Sequence, residues 1–240
     1  MTPSPPHAPI PEPWDLWLDE NHEPAWNMAA DEVLLTRAAA RGRPLLRFYG
    51  WDRPAVTIGY VQNHDAAPAA GYTVIRRPTG GGVVFHDHDI TYTAVFPPGH
   101  WLTRLDRMES YATVNRAVAA GLARIRIGAA LANAEISGHV DRGRMVCFTN
   151  PTRYDLLQGE RKIAGSAQRR TRQGILHQGS IVLPPGTAPD RMLVTDAIAA
   201  GFQTVLGAHF QPFQPETAFT GAAEERAQTV YRTEAWNRRR

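Results

Sequence analysis

The chain is short of two residues that most proteins use freely: among its 240 residues there is one cysteine, Cys147, and one lysine, Lys162. A lone cysteine excludes an intrachain disulfide, which fits a reducing cytoplasm and leaves a free thiol. No apolar run approaches the roughly 18 residues needed to cross a bilayer, so no membrane partner is expected. The first 13 residues, MTPSPPHAPIPEP, lack the basic start and apolar stretch of a secretory signal and read as a disordered Pro-rich leader, 1–13. Arginines do not alternate with aromatics in a nucleic-acid pattern, so the formal charge of +3 points to no nucleic-acid partner. A basic surface suits an acidic protein partner instead, and the closing residues 237–240 read as a solvated basic tail.

What remains is an ordinary globular composition, 43% hydrophobic and 20% charged, large enough for one well-buried core over residues 14–236. AWNMAADEVLLTRAA predicts an opening helix with Trp26, Ala29, Ala30, Val33 and Leu34 on one face. The period then changes: LLRFYGW (45–51), AVTIGY (55–60), YTVIRRP (72–78), VVFHD (83–87) and ITYTAVF (90–96) read as short strands. In the last, Ile90, Tyr92, Ala94 and Phe96 alternate with Thr91, Thr93 and Val95, one sheet face for the core and one for a helix or pocket. A second helix is predicted near 108–124, a strand and loop over 128–144, and a third helix over 189–206 capped by Gly207. Between these, YDLLQGERKIAGSAQ forms two strands about a turn near Gly159, and GILHQGSIVL a further strand. The fold class is α+β, a single domain.

Three stretches carry chemistry. In RRPTGGGVVFHD the three glycines Gly80, Gly81 and Gly82 strip side chains from one segment, so a ligand can lie on main-chain N–H groups. Arg76, Arg77 and Thr79 precede them with charge and a hydroxyl, and His86 follows as a possible proton carrier. In KIAGSAQ, Lys162 stands in a chain that otherwise uses arginine for positive charge. A planar guanidinium cannot imitate a compact ammonium aimed at one oxygen, so this position calls for lysine geometry. Gly165, Ser166 and Ala167 leave room for a ligand beside it. Cys147, in MVCFTNPTRYDLL, is a small buried hydrophobe or, at the edge of the TNP turn, an exposed nucleophile whose thiolate a nearby Lys162 would favour. No His, Cys, Asp and Glu set shows metal-ligand spacing, so no metal is expected.

RRPTGGGVVFHD followed by ERKIAGSAQ and HQGSI resembles the biotin and lipoate protein ligase superfamily, from about Trp14 to Trp236. Within it, PAWNMAADEVLL, IGYVQN, VCFTNPTRYDLL and the closing AWNRR are most similar to the LipM-type octanoyltransferases. The resemblance implies a single ligase-type catalytic domain with a mixed, mostly antiparallel sheet flanked by helices. It implies transfer of octanoyl from acyl carrier protein to a lysine of a lipoyl carrier domain, such as glycine cleavage H protein. Cys147 would be the acyl-carrying nucleophile and Lys162 the group that lowers its pKa and holds the acyl carbonyl. The glycine loop with Arg77 and His86 would border the acyl channel, and His86 and His177 are candidates for a general base. A thioester donor requires no cofactor. TGGGVVFHD also resembles the ATP-dependent lipoate ligases, which implies ATP and Mg as the alternative. A cysteine-dependent amidotransferase and a non-catalytic acyl or carrier-binding module are the remaining readings.

Overall fold

The computed structural model describes residues 10–67, 70–133, 152–184, 186–187 and 190–239. Cys147, the TNP turn expected after it and most of the segment 128–144 lie outside the described residues.

Along the chain run β1 (Glu12–His22), α1 (Pro24–Thr36), α2 (Ala38–Arg41), β2 (Leu45–Trp51), β3 (Ala55–Ile58), β4 (Thr73–Arg76), β5 (Val84–His86) and β6 (Ile90–Phe96). There follow α3 (Arg107–Arg124), β7 (Ala130–Leu131), β8 (Leu156–Gln158), β9 (Arg161–Thr171), β10 (Gly174–Ile181) and α4 (Arg191–Leu206). The chain then forms β11 (Ala208–Pro212), α5 (Thr217–Arg226), a π turn over Ala227–Tyr231 and α6 (Glu234–Asn237). Eight strands form one sheet in the order β11-β1-β2-β6-β10-β9-β8-β7, and β4-β3-β5 form a second, smaller one. Pairing is mostly antiparallel; β1 pairs in parallel with both β2 and β11, and β3 with β4.

The alternation in β6 works as its pattern predicts. Ile90, Tyr92, Ala94 and Phe96 join α3 and α4 in the main core with Val114, Val118, Ile198 and Phe202. On the opposite face Val95 packs with Leu34 and Leu35 of α1, and Thr93 donates to Asp31 of α1 at 2.7 Å. The third helix is capped by Gly207 as expected, and Gly159 turns β8 into β9 with a φ of +60°.

Two segments depart from the sequence reading. β1 starts at Glu12, inside the segment 1–13 read as a leader, and its Trp14 is fully buried among Phe96, Phe202 and Phe210. That strand is held by parallel partners far along the chain, which local periodicity does not reveal. The closing residues are not a free tail either: Arg239 lies 3.5 Å over the ring of Tyr60 and donates to its carbonyl at 2.7 Å. Finally, Arg47 sits fully buried inside the apolar strand β2. It is tolerated there because Asp19 and Asp31 meet its guanidinium at 2.7 and 2.8 Å and the ring of Tyr49 lies 4.0 Å away. Burial opposes its charge, but the two carboxylates outweigh it and hold its pKa above the ordinary value.

Candidate active site

Lys162 enters β9 just after the Gly159 turn, and its Nζ lies 2.7 Å from Oδ2 of Asp155, with both side chains almost wholly buried. Two buried charges are costly unless paired and hydrogen-bonded. The same carboxylate oxygen accepts from the backbone N–H of Thr152 at 2.5 Å and from its hydroxyl at 3.0 Å. Gly165 makes room for the ammonium: a Cβ there would stand 2.5 Å from Lys162 Cε and 2.7 Å from Nζ. Gly165 therefore serves the placement of the lysine.

The glycine loop is held from its own first residue. Arg77 Nε and Nη2 donate to the Gly80 carbonyl at 3.0 and 2.6 Å, and Nη2 also reaches that of Gly82 at 2.7 Å. Its Nη1 donates to the carbonyl and the hydroxyl of Thr57, each at 3.1 Å. Gly81 takes a φ of +91°, and a Cβ on it would come within 2.8 Å of Arg77 Nη2. The fork of an arginine suits this task, since a lysine cannot bind several carbonyls in a fixed plane. Thr79 ties the loop to the main sheet: its hydroxyl donates to Gln178 Oε1 at 2.6 Å, and Gln178 Nε2 donates to Asp31 at 2.7 Å.

His86 is oriented at both nitrogens. Nδ1 faces Asp89 Oδ2 at 2.8 Å, Nε2 faces the Thr57 hydroxyl at 3.0 Å, and the ring stacks on Trp51 at 4.1 Å. Because Arg77 already donates to Thr57 Oγ1, the threonine proton is free to point at Nε2, which assigns the imidazole as Nδ1–H toward Asp89. Burial alone would raise the pKa of Asp89, but hydrogen bonds from His86, Ser180 and Thr91 hold it below the ordinary value.

These parts surround one cavity between the two sheets. Of the residues singled out in the sequence, Arg77, Gly81, His86, Gly165, Ser166 and Ala167 line it, with Met28, Trp51, Val84 and Gln178 adding mostly apolar wall. Ser166 borders it while its hydroxyl points away, donating to Asn115 of α3 at 3.2 Å. Lys162 stands directly behind Gly165.

Two expected ligand residues do other work. Arg76 is fully buried and spends all three guanidinium nitrogens on carbonyls, those of Gly59, Tyr60, Gln62, Trp236 and Asn237, between 2.6 and 3.2 Å. It is a strut between α6 and the loop at residues 59–62, not a charge offered to a ligand. His177 faces α3 rather than the cavity: Gln168 Nε2 donates to its Nδ1 at 2.9 Å, and its Nε2 lies 3.3 Å from the Tyr92 hydroxyl. Burial pushes its pKa down to about 3, so the ring stays neutral. The sequence reading passed over Asp155, Asp89, Thr57, Gln178 and Asp31. Asp31 alone left a signal, as a carboxylate four residues after Asn27 on a mostly apolar helix. Among the described residues no group of three or more His, Cys, Asp or Glu side chains is arranged to hold a metal ion.

An eight-stranded sheet and a small second sheet that carries the glycine loop flank the cavity, and this arrangement recurs in solved structures. A protein from T. acidophilum with bound lipoic acid has a TM-score of 0.80 to this structure, covering 95% of this chain and 99% of that one at 22% identity. Lipoate-protein ligase A bound with ATP gives 0.76 over 94% and 98%, also at 22%. Likeness at this identity establishes the fold. The chain belongs to the family of the lipoyl protein ligase A/B catalytic domain, whose family model matches residues 23–189. Curated relatives named octanoyltransferase LipM span nearly its whole length. That of Symbiobacterium thermophilum is 34% identical over 95% of this chain and 98% of its own. The Kyrpidia tusciae protein is 30% identical over 95% and 99%, and that of Bacillus subtilis 28% over 95% and 99%.

Proposed function

We propose that this chain is an acyltransferase of protein lipoylation, moving octanoyl from acyl carrier protein to the lysine of a lipoyl carrier domain such as glycine cleavage H protein. The observation that carries the reading is the buried Lys162, paired with Asp155 and set against the side-chain-free Gly165 that lines an apolar cavity. The full-length relatives named octanoyltransferase LipM support the same activity. Cys147 is the proposed nucleophile. Its thiolate adds to the thioester carbonyl, the tetrahedral oxyanion collapses, and the carrier thiol leaves after taking a proton. The neutral amine of the acceptor lysine then adds to the enzyme thioester, loses a proton, and expels the Cys147 thiolate as the amide forms. Lys162 and main-chain N–H groups stabilise the oxyanion of each step, a donor role worth about 3–4 kcal/mol in comparable sites.

A thioester is already activated, so this route requires neither ATP nor a metal. In keeping with that, the guanidinium groups of Arg76 and Arg77 are engaged by backbone carbonyls. The reading places the enzyme in the cytoplasm, where the thiol stays reduced. Mixing the protein with octanoyl-acyl carrier protein should add one octanoyl group, labile to hydroxylamine, which Cys147→Ala abolishes. Modification of a carrier lysine from free octanoate or lipoate with ATP, surviving Cys147→Ser, would assign ligation instead. Binding without turnover in either assay would leave a non-catalytic module.

A further inference from the structure

Cavity residue Met28 and the charged Glu32 are four residues apart on α1, so they lie on one helix face a turn apart. Glu32 is met by Arg226 Nε at 2.7 Å, by the Tyr231 hydroxyl at 2.9 Å and by Arg169 Nη1 at 3.5 Å. Arg169 follows Gly165 and Ala167 at alternate positions of β9, on the face that lines the cavity. Its guanidinium lies 5.9 Å from the ring of Tyr60, and that of Arg239 covers the same ring at 3.5 Å. Tyr60 and Val61 are 36% and 51% exposed. The backbone N–H of Tyr60 donates to the Thr79 carbonyl at 2.8 Å, which fastens this rim to the glycine loop.

The rim thus combines two exposed apolar side chains with three guanidinium groups. Glu32 is the only carboxylate in salt-bridge contact with any of the three among the described residues, leaving the cluster cationic. We propose that this rim, built on Tyr60, Val61, Arg169, Arg226 and Arg239, docks the acyl-laden carrier domain through an acidic face of that partner. The inference rests on the transferase reading and adds where the donor binds. An octanoyl chain entering an apolar cavity has to be presented from water by its carrier, and the carrier must contact protein beside the cavity mouth. Opposite charge on the two faces steers the encounter, and the Tyr60–Val61 pair supplies desolvated contact at its centre.

The experiment compares two donors, octanoyl-acyl carrier protein and octanoyl-pantetheine, with wild type, Arg239→Glu and Arg169→Glu/Arg239→Glu. Both variants should raise KM for the carrier-borne donor, the double variant by at least about tenfold at low salt. Acylation by octanoyl-pantetheine should stay within about twofold of wild type, and the carrier reaction of the double variant should lose its salt dependence. Equal losses with both donors, or an unchanged carrier KM, would overturn the proposal. Titration calorimetry with the unacylated carrier reads the surface independently of turnover: affinity should fall by the same factor, and unaltered affinity would also overturn the proposal. If wild type gained no octanoyl group from either donor, the transferase reading would fail while calorimetry still tested the surface.

Discussion

Lys162 Nζ and Asp155 Oδ2 are 2.7 Å apart, with side chains only 1% and 4% exposed. The aspartate offsets a desolvation cost that the lysine cannot carry alone, because an ammonium sealed from water needs a counter-charge within contact distance. Arginine is used for 25 of the 26 basic positions, yet the one lysine is packed so closely on Gly165 that a Cβ there would stand 2.7 Å from its Nζ.

Replacement of either partner should separate charge from geometry. Lys162→Arg is expected to lower octanoyl-enzyme formation by at least about 100-fold in single-turnover assays, as loss of an oxyanion donor does. Its fold should survive, at an overpacking cost of about 1–3 kcal/mol. Asp155→Asn removes the counter-charge of a buried ammonium and should cost about 3–5 kcal/mol in urea denaturation.

Gly165→Ala leaves every charge in place and moves only the lysine. The added Cβ would meet Lys162 Cε at 2.5 Å, so the side chain must swing aside. Activity should fall by at least about tenfold, since small misplacements at a reacting centre are costly. A variant with wild-type kcat would show that Lys162 needs no fixed position.

The glycine loop offers a separate handle. Arg77→Lys removes the fork that binds Gly80, Gly82 and Thr57. Amide hydrogen exchange over residues 79–82 should quicken by at least about tenfold, while exchange in β6 and β10 stays slow. Equal protection in variant and wild type would remove Arg77 from this role.

Acid should destabilise the protein through His177 before its carboxylates titrate. Its native pKa of about 3 lies below the ordinary 6.5, so between those values the unfolded chain binds a proton that the native state refuses. Stability is therefore full above pH 6.5 and declines as pH falls toward 3, by about 1.4 kcal/mol per pH unit. Urea denaturation at pH 6.5 and 5 should differ by about 2 kcal/mol, and His177→Gln should remove most of that difference.

Periodicity within ten or so residues announced most elements: α1, α3, α4, the β8–β9 hairpin and the two faces of β6 stand where the sequence implies them. β1 and β11 were hidden because their only justification is parallel pairing, Trp14 with Phe210 and Leu16 with Leu46. The π turn and α6 were hidden for the same reason, being organised by Glu32 and Arg76.

The candidate site divides along the same line. Residue type alone marked Lys162, because no arginine substitutes for its shape, and it marked the three glycines, because no other residue clears a backbone. What those residues touch was decided by packing. Arg76 and Arg77 are neighbours in sequence, yet one binds the carbonyl of Asn237, 161 residues away, and the other closes on Gly80, three residues on. His86 and His177 are both buried histidines, but one is oriented by Asp89 at the cavity wall and the other is sealed against α3. Composition and local pattern determine which chemistry a chain can perform, since they depend on one residue and its near neighbours. Only the tertiary structure decides which donors meet which acceptors, because a buried polar group must find its partner wherever the sheet and helices have placed one.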